Sequence, residues 1–263
     1  MSSTTQATQT VDGHLAHARY GKDKVRVFRI VREGKWHHVV EYNVCALVEG
    51  DIETSYTEAD NSVVVATDSI KNITYYLAKT SPHILHPERF ALHLGTFLLS
   101  KYAHLHKAFI TVEKLRWQRI QVDDKPHPHS FVRDGEDKRV VNVEIDATQG
   151  KDKLTAKVTS GVVDLLVLKS TGSAFENFVR DEFTTLAEVN DRIFSTSIDL
   201  KYVFDPIPVS LSLFEAPLPG TPGGPNAIFA AGKDAQLSDE GITTAKKSAV
   251  LGMVRRLLTM PGK

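Results

Sequence analysis

The chain has 263 residues, with 32 Lys and Arg against 32 Asp and Glu, 11 histidines and a single cysteine. That length suits one large domain or two small ones and is ample for a real core, and the zero net charge excludes a polybasic binder that holds nucleic acid by bulk charge. Cys45 alone excludes a disulfide scaffold and a Cys-rich zinc site, and no apolar run approaches the roughly 20 residues of a membrane helix. Met1 to Gly13 is polar and Thr/Gln/Ser-rich without an apolar stretch, so it is no secretory signal. The reading is a soluble intracellular globular protein, with 1–16 a disordered arm too poor in apolar groups to offset ordering entropy. Val25 to Val48 alternates at strand spacing around Glu33-Gly34-Lys35 and predicts a β-hairpin. Val63 to Ala66 predicts a short buried strand, and Asp68 or Ser69 caps the helix after it. Ile70, Ile73, Thr74 and Leu77 share one face of that helix. Pro87-Glu88 opens a second helix with Phe90, Leu94, Phe97, Leu98 and Tyr102 as its apolar stripe.

Ala108 to Val122 alternates again, and further strands are predicted at Ser130–Arg133, Arg139–Ile145, Leu154–Leu168 and Ser197–Phe204. Strand, strand, helix, helix, strand, strand is the order of an α+β fold, with helices on one face of an antiparallel sheet. Composition shifts at Asp205, because prolines crowd between Pro206 and Pro225 and cannot sustain a ladder. The stretch 206–235 therefore reads as irregular, and Ser238 caps a basic helix over Asp239–Met260 whose charges are a solvated face.

Several motifs carry no chemistry. His127-Pro-His129, His104-x-His106 and His37-His38 each offer two imidazoles with no third ligand at familiar spacing, so no metal site is read. Gly220 to Gly224 lacks the Gly-Lys-Ser/Thr of a phosphate loop, and no Gly-x-Ser-x-Gly elbow occurs. Cys45 reads as a small core residue of a strand.

The informative segments are Tyr20-Gly-Lys22-Asp, Thr67-Asp-Ser-Ile-Lys-Asn72, Lys125-Pro-His-Pro-His-Ser-Phe131, and the run from Leu166 through Phe175 to Asp191-Arg192. These resemble the signatures of the urate oxidase (uricase) family, from about Ala18 to Asp205. The resemblance implies a tunnelling fold: tandem modules of antiparallel sheet with helices on one face. The first module spans 17–137 and an incomplete second spans 138–205, followed by a divergent tail over 206–263. It implies oxidation of urate by O₂ and water to 5-hydroxyisourate and peroxide, with no metal and no organic cofactor. It implies a homotetramer whose sites join residues of two subunits, with no nucleic-acid or membrane partner.

Position by position, Lys22 and Thr67 match the family's proton relay, Asp68 a residue beside the substrate, Phe175 the aromatic that stacks on the purine, and Arg192 the arginine that clamps its edge. A planar guanidinium pairs two adjacent acceptors, a phenyl face stacks without demanding hydrogen bonds, and a lysine whose ammonium is disfavoured by partial burial exchanges a proton with a threonine. Taken singly the same residues read otherwise. Lys22 is then a surface charge, Thr67 a cap, Phe175 core, and Arg192 the ion-pair partner of Asp191 or Glu188.

The family's relay histidine, substrate glutamine and oxygen-site asparagine have no match, and His129 is the last histidine of the chain. Two alternatives follow from the residues: a truncated, inactive urate oxidase-like remnant, or a related tunnelling-fold enzyme acting on a pterin. The resemblance implies the peroxisome, whereas the ending Pro261-Gly262-Lys263 is no Ser-Lys-Leu-type signal and leaves the cytoplasm.

Overall fold

The computed structural model describes residues 14–209. The sequence expectations for 1–13 and 210–263, including the helix over Asp239–Met260, lie outside the described residues. Strand β1 (Tyr20–Glu33) turns at Gly34 into β2 (Trp36–Gly50). The short α1 (Thr54–Thr57), then α2 (Thr67–Thr80) and α3 (Pro87–Lys101) follow. Next come β3 (Leu105–Lys114), β4 (Gln118–Val122), β5 (Lys125–Val132), β6 (Lys138–Asp146), β7 (Leu154–Phe175), β8 (Val189–Val203) and β9 (Ile207–Val209).

The main sheet is antiparallel in the order β1-β2-β3-β6-β7-β8, with β9 also on β7. Its register shows why one face is dry. Val25 lies opposite Val44, Val44 opposite Val112, and Val112 opposite Val141. The parallel row runs Ala46, Ile110, Val143, Val158. All of these are buried, because α2 packs on β1 and β2 while α3 packs on β3, β6 and β7. Ile70, Ile73, Thr74 and Leu77 of α2 and Phe90, Leu94 and Leu98 of α3 complete this core. The opposite face is polar: Asn43 donates to Glu113 at 3.2 Å and Thr111 to Asn142 at 2.8 Å. Lys151 Nζ closes the far end of α3 by donating to the carbonyls of Leu99, at 2.9 Å, and Leu105.

The structure corrects four local expectations. Val63–Ala66 is not a strand. Val64 N–H closes a turn on Asn61 O and Val65 N–H bonds the Tyr20 hydroxyl, so no ladder partner is engaged. Ala66 occupies the N-cap of α2 without a side-chain bond, and Asp68 lies inside the first turn. The alternation of 108–122 is cut at Leu115–Trp117, where the chain leaves the main sheet for the separate β4–β5 hairpin. That hairpin is fastened by Glu41, which accepts from Arg26 Nε at 3.0 Å, Trp117 Nε1 at 2.7 Å and Arg133. Ile207–Val209 is a strand inside the stretch read as irregular: β9 continues the line of β8 along β7, with Pro208 opposite Thr155.

Beyond Val163, β7 has left β6 behind and pairs with β8 alone. The two strands form a ribbon that carries Phe175 and Arg192 at its far end. Leu166 is 72% exposed, Leu168 66% and Ile193 68% on one side of it. Among the described residues no helix is long and apolar enough to cross a membrane.

Candidate active site

Two groups of residues matter, and the sheet sets them apart. The first lies at the β1 edge. A bulge between Lys22 and Val25, with Lys24 at φ 55° and its N–H on Asp23 Oδ1 at 2.7 Å, interrupts the ladder just after Lys22. Bulges of this kind re-aim side chains beside functional sites. Lys22 pairs with Ala46, a residue of the helix-covered face, so it lies on the side of the sheet that carries α2. The Tyr20 hydroxyl accepts Val65 N–H at 2.8 Å, which ties β1 to the approach of α2 two residues before Thr67.

Thr67 opens α2 and is half-buried, at the end where unsatisfied N–H groups concentrate positive potential. The Asp68 carboxylate accepts from Lys71 Nζ at 2.5 Å and Asn72 Nδ2 at 2.8 Å. Those bonds, chiefly with Lys71 and with a smaller contribution from the charge of Lys22, hold Asp68 below the usual carboxylate range. In the single chain Lys22 is exposed. The bulge carries it to the rim of the sheet, where solvent reaches it. Cys45 is likewise not a core residue. It faces away from the helices, half-buried, and its thiol is pushed up to about 11 by burial and by the neighbouring Asp23.

The second group lies at the end of the β7–β8 ribbon. Arg192 is opposite Ser173 in the register, and Phe175 lies two residues further along β7. Phe175 and Arg192 therefore share one face, with the guanidinium carbon 5.0 Å from the ring centroid. Phe178 stacks on Phe175 at 4.8 Å with 11° between the planes, and Arg180 covers Phe178 at 4.9 Å. Phe175 is 39% exposed, so it is not core but part of a surface cluster with Phe178 and Arg192. The acids near Arg192 are engaged elsewhere. Asp191 accepts from the Thr171 hydroxyl at 2.8 Å and from Gly172 N–H at 2.5 Å, and Glu188 from Asn177 N–H at 3.3 Å.

The structure thus brings Phe175 to Arg192, and Lys22 to the neighbourhood of Asp68, but it does not bring the two groups together. Lys22 is on the edge strand β1 and Arg192 on the opposite edge strand β8. Five strand spacings separate those edges, about 24 Å at roughly 4.8 Å each. The contacts of Tyr20 and Asp191 were not legible as such. Both residues stand beside the recognisable ones in sequence, and that adjacency was their only signal. The histidine pairs do converge in space, His37 on His129 at 5.6 Å and His127 on His129 at 4.5 Å. Among the described residues, however, no three His, Cys, Asp or Glu side chains are disposed to hold a metal.

An antiparallel sheet with helices on one face, a long terminal ribbon and helices between the second and third strands defines a tunnelling-fold protein. The solved structure of uricase from Arthrobacter globiformis matches it with a TM-score of 0.62 and 32% identity, over 73% of this chain and 62% of that one. A family model described as Uricase matches residues 18–144 and 158–238. The chain is 52% identical over 184 residues to the uricase of Aspergillus flavus and 50% identical over 192 residues to that of Emericella nidulans. The chain belongs to the uricase family. The family match runs to residue 238, past Asp205, the end of the resemblance carried by the sequence motifs. The alignments cover 69% and 72% of this chain and 59% and 62% of those fungal proteins. The chain thus spans about 60% of the length of the relatives it matches.

Proposed function

We propose that this protein oxidises urate with O₂ and water to 5-hydroxyisourate and hydrogen peroxide. The observation that carries the reading is the Phe175–Arg192 pair, a phenyl ring and a guanidinium held together on one face of the exposed ribbon. The ring stacks on the purine and the guanidinium takes two adjacent acceptors on its edge. Lys22 takes and returns the Thr67 hydroxyl proton, and Asp68 borders the substrate. An electron-rich urate anion passes an electron to O₂ directly, so the reaction calls for no metal and no organic cofactor.

The separation of the two groups across the sheet supports sites assembled from two subunits of a homotetramer, with the clamp of one facing the relay of another. The apolar side of the ribbon, exposed in a single chain, supports the same arrangement. We read 17–137 as a first module and 138–205 as part of a second. Family membership supports a peroxisomal enzyme.

The test is urate disappearance followed by ultraviolet absorbance, with peroxide measured in parallel. Turnover by the full chain, abolished in Thr67→Ala with binding kept, is the expected result. Arg192→Ala loses about 2–4 kcal/mol of urate binding, the worth of a bidentate charge-assisted pair. A chain that neither binds nor consumes urate overturns the reading.

A further inference from the structure

We infer that Asp191 is a positioning residue for the Phe175–Arg192 clamp, an inference that rests on the urate-binding reading above. The argument begins with the register. β7 advances from Lys169 to Ser173 while β8 moves only from Phe194 to Arg192, so two extra residues bulge out of β7. β8 then moves from Arg192 to Val189 while β7 moves only from Ser173 to Phe175, so one extra residue bulges out of β8. Arg192 sits between these two irregularities, and the second of them separates it from Phe175. A ladder interrupted twice in so short a span has little of its own to hold register, and a slip by one residue turns every side chain to the other face. Arg192 and Phe175 would then point to opposite sides of the ribbon.

The bulge in β7 is held at one point, Gly172. Its φ of 71° is the left-handed conformation that glycine adopts without steric cost. Its N–H donates to Asp191 Oδ1 at 2.5 Å, and its carbonyl accepts from Lys169 Nζ at 2.5 Å. The other Asp191 oxygen accepts the Thr171 hydroxyl at 2.8 Å. One carboxylate on β8 therefore fixes two consecutive residues of the β7 bulge, and it belongs to the residue joined by a peptide bond to Arg192. The bonds to Thr171 and Gly172, in that order of weight, also keep the carboxyl below its usual range, so it stays an ionised acceptor in ordinary buffers. Asp191 touches neither the phenyl face nor the guanidinium group. It acts by deciding where they stand.

The experiment compares the full chain with Asp191→Ala and Asp191→Asn by hydrogen exchange and by urate titration. Exchange in peptides covering 169–176 and 189–194 rises about 10-fold or more in Asp191→Ala, as expected for losing two bonds to a charged acceptor. Peptides from β2 and β3 keep their protection. Urate affinity falls about 10-fold in the same variant, with the pH profile of turnover unchanged. Asp191→Asn, which keeps one acceptor oxygen, restores part of both. Unchanged local exchange in Asp191→Ala overturns the inference. So does raised exchange with unchanged urate affinity. If the unaltered chain binds no urate, the urate reading fails by itself. The exchange comparison still decides whether Asp191 holds the clamp.

Discussion

Arg139→Met removes the partner of a carboxylate that water does not reach. Glu88, in the first turn of α3, is 0% exposed. Its Oε1 accepts from Arg139 Nη2 on β6 and from Ser160 Oγ on β7, so the pair bolts the helix to the strands that lead into the ribbon. Removing one member of a buried ion pair costs about 3–5 kcal/mol, because the other charge stays behind uncompensated. Ser160 alone returns only about 1.5–3 kcal/mol to a charged acceptor. For a chain of this size each kcal/mol is worth about 2–4 °C, so the melting temperature falls by about 6–20 °C. The pair itself is not an efficient stabiliser. Glu88 Oε2, Arg139 Nε and Tyr202 Oη are buried in the same cluster without a hydrogen bond of good geometry. The double variant Glu88→Leu/Arg139→Met is therefore within about 1 kcal/mol of the parent, or more stable. Urea unfolding of the four proteins gives the cycle. A loss below about 1 kcal/mol in Arg139→Met, or a double variant as weak as the sum of the singles, refutes the reasoning.

Two further outcomes are expected. Burial lowers the pKa of His93 to about 4. The folded protein then binds fewer protons than the unfolded chain between that value and the unfolded histidine's, about 6.5. Stability is full above about pH 6.5 and declines by about 3 kcal/mol on acidification to pH 4. His93→Gln flattens that decline in urea titrations, and an unaltered slope excludes His93 as its source. A methyl group added at Gly21 would lie 2.0 Å from the Ala46 carbonyl oxygen, which is backbone and cannot yield. Gly21→Ala therefore costs about 1–3 kcal/mol through overpacking and shifts the neighbouring Lys22. Calorimetry reads the first effect and urate turnover the second.

The main elements were legible wherever burial follows a simple period. The first hairpin, the inward faces of α2 and α3, and β6 all emerged from spacing, because the same apolar side chains that recur in sequence meet in the core. Pro87 marked the start of α3 for a local reason, since the first helical position needs no N–H. The irregular pieces were not legible. Val63–Ala66 has the composition of a strand, yet Tyr20, far away in sequence, takes the N–H of Val65. The alternation from 108 to 122 continues through a point where the chain changes sheets, because Glu41 on β2 gathers Trp117 and Arg133 around it.

The residues of the site divide in the same way. Lys22, Thr67, Asp68, Phe175 and Arg192 were singled out only through the short motifs by which the sequence resembles the uricase family, since each taken singly reads as an ordinary structural residue. The order of the chain's predicted elements determined an α+β sheet protein, and its composition one without a disulfide framework or polybasic charge. Only the tertiary structure decided that Phe175 and Arg192 share a face, because that depends on bulges whose register is held across strands by Asp191 and Gly172. It alone decided that Lys22 is exposed, and that the relay and clamp groups stand on opposite edges of one sheet. Strand order is a property of long-range pairing, and the energy that selects it comes from burying both helices on one common face, which no local pattern records.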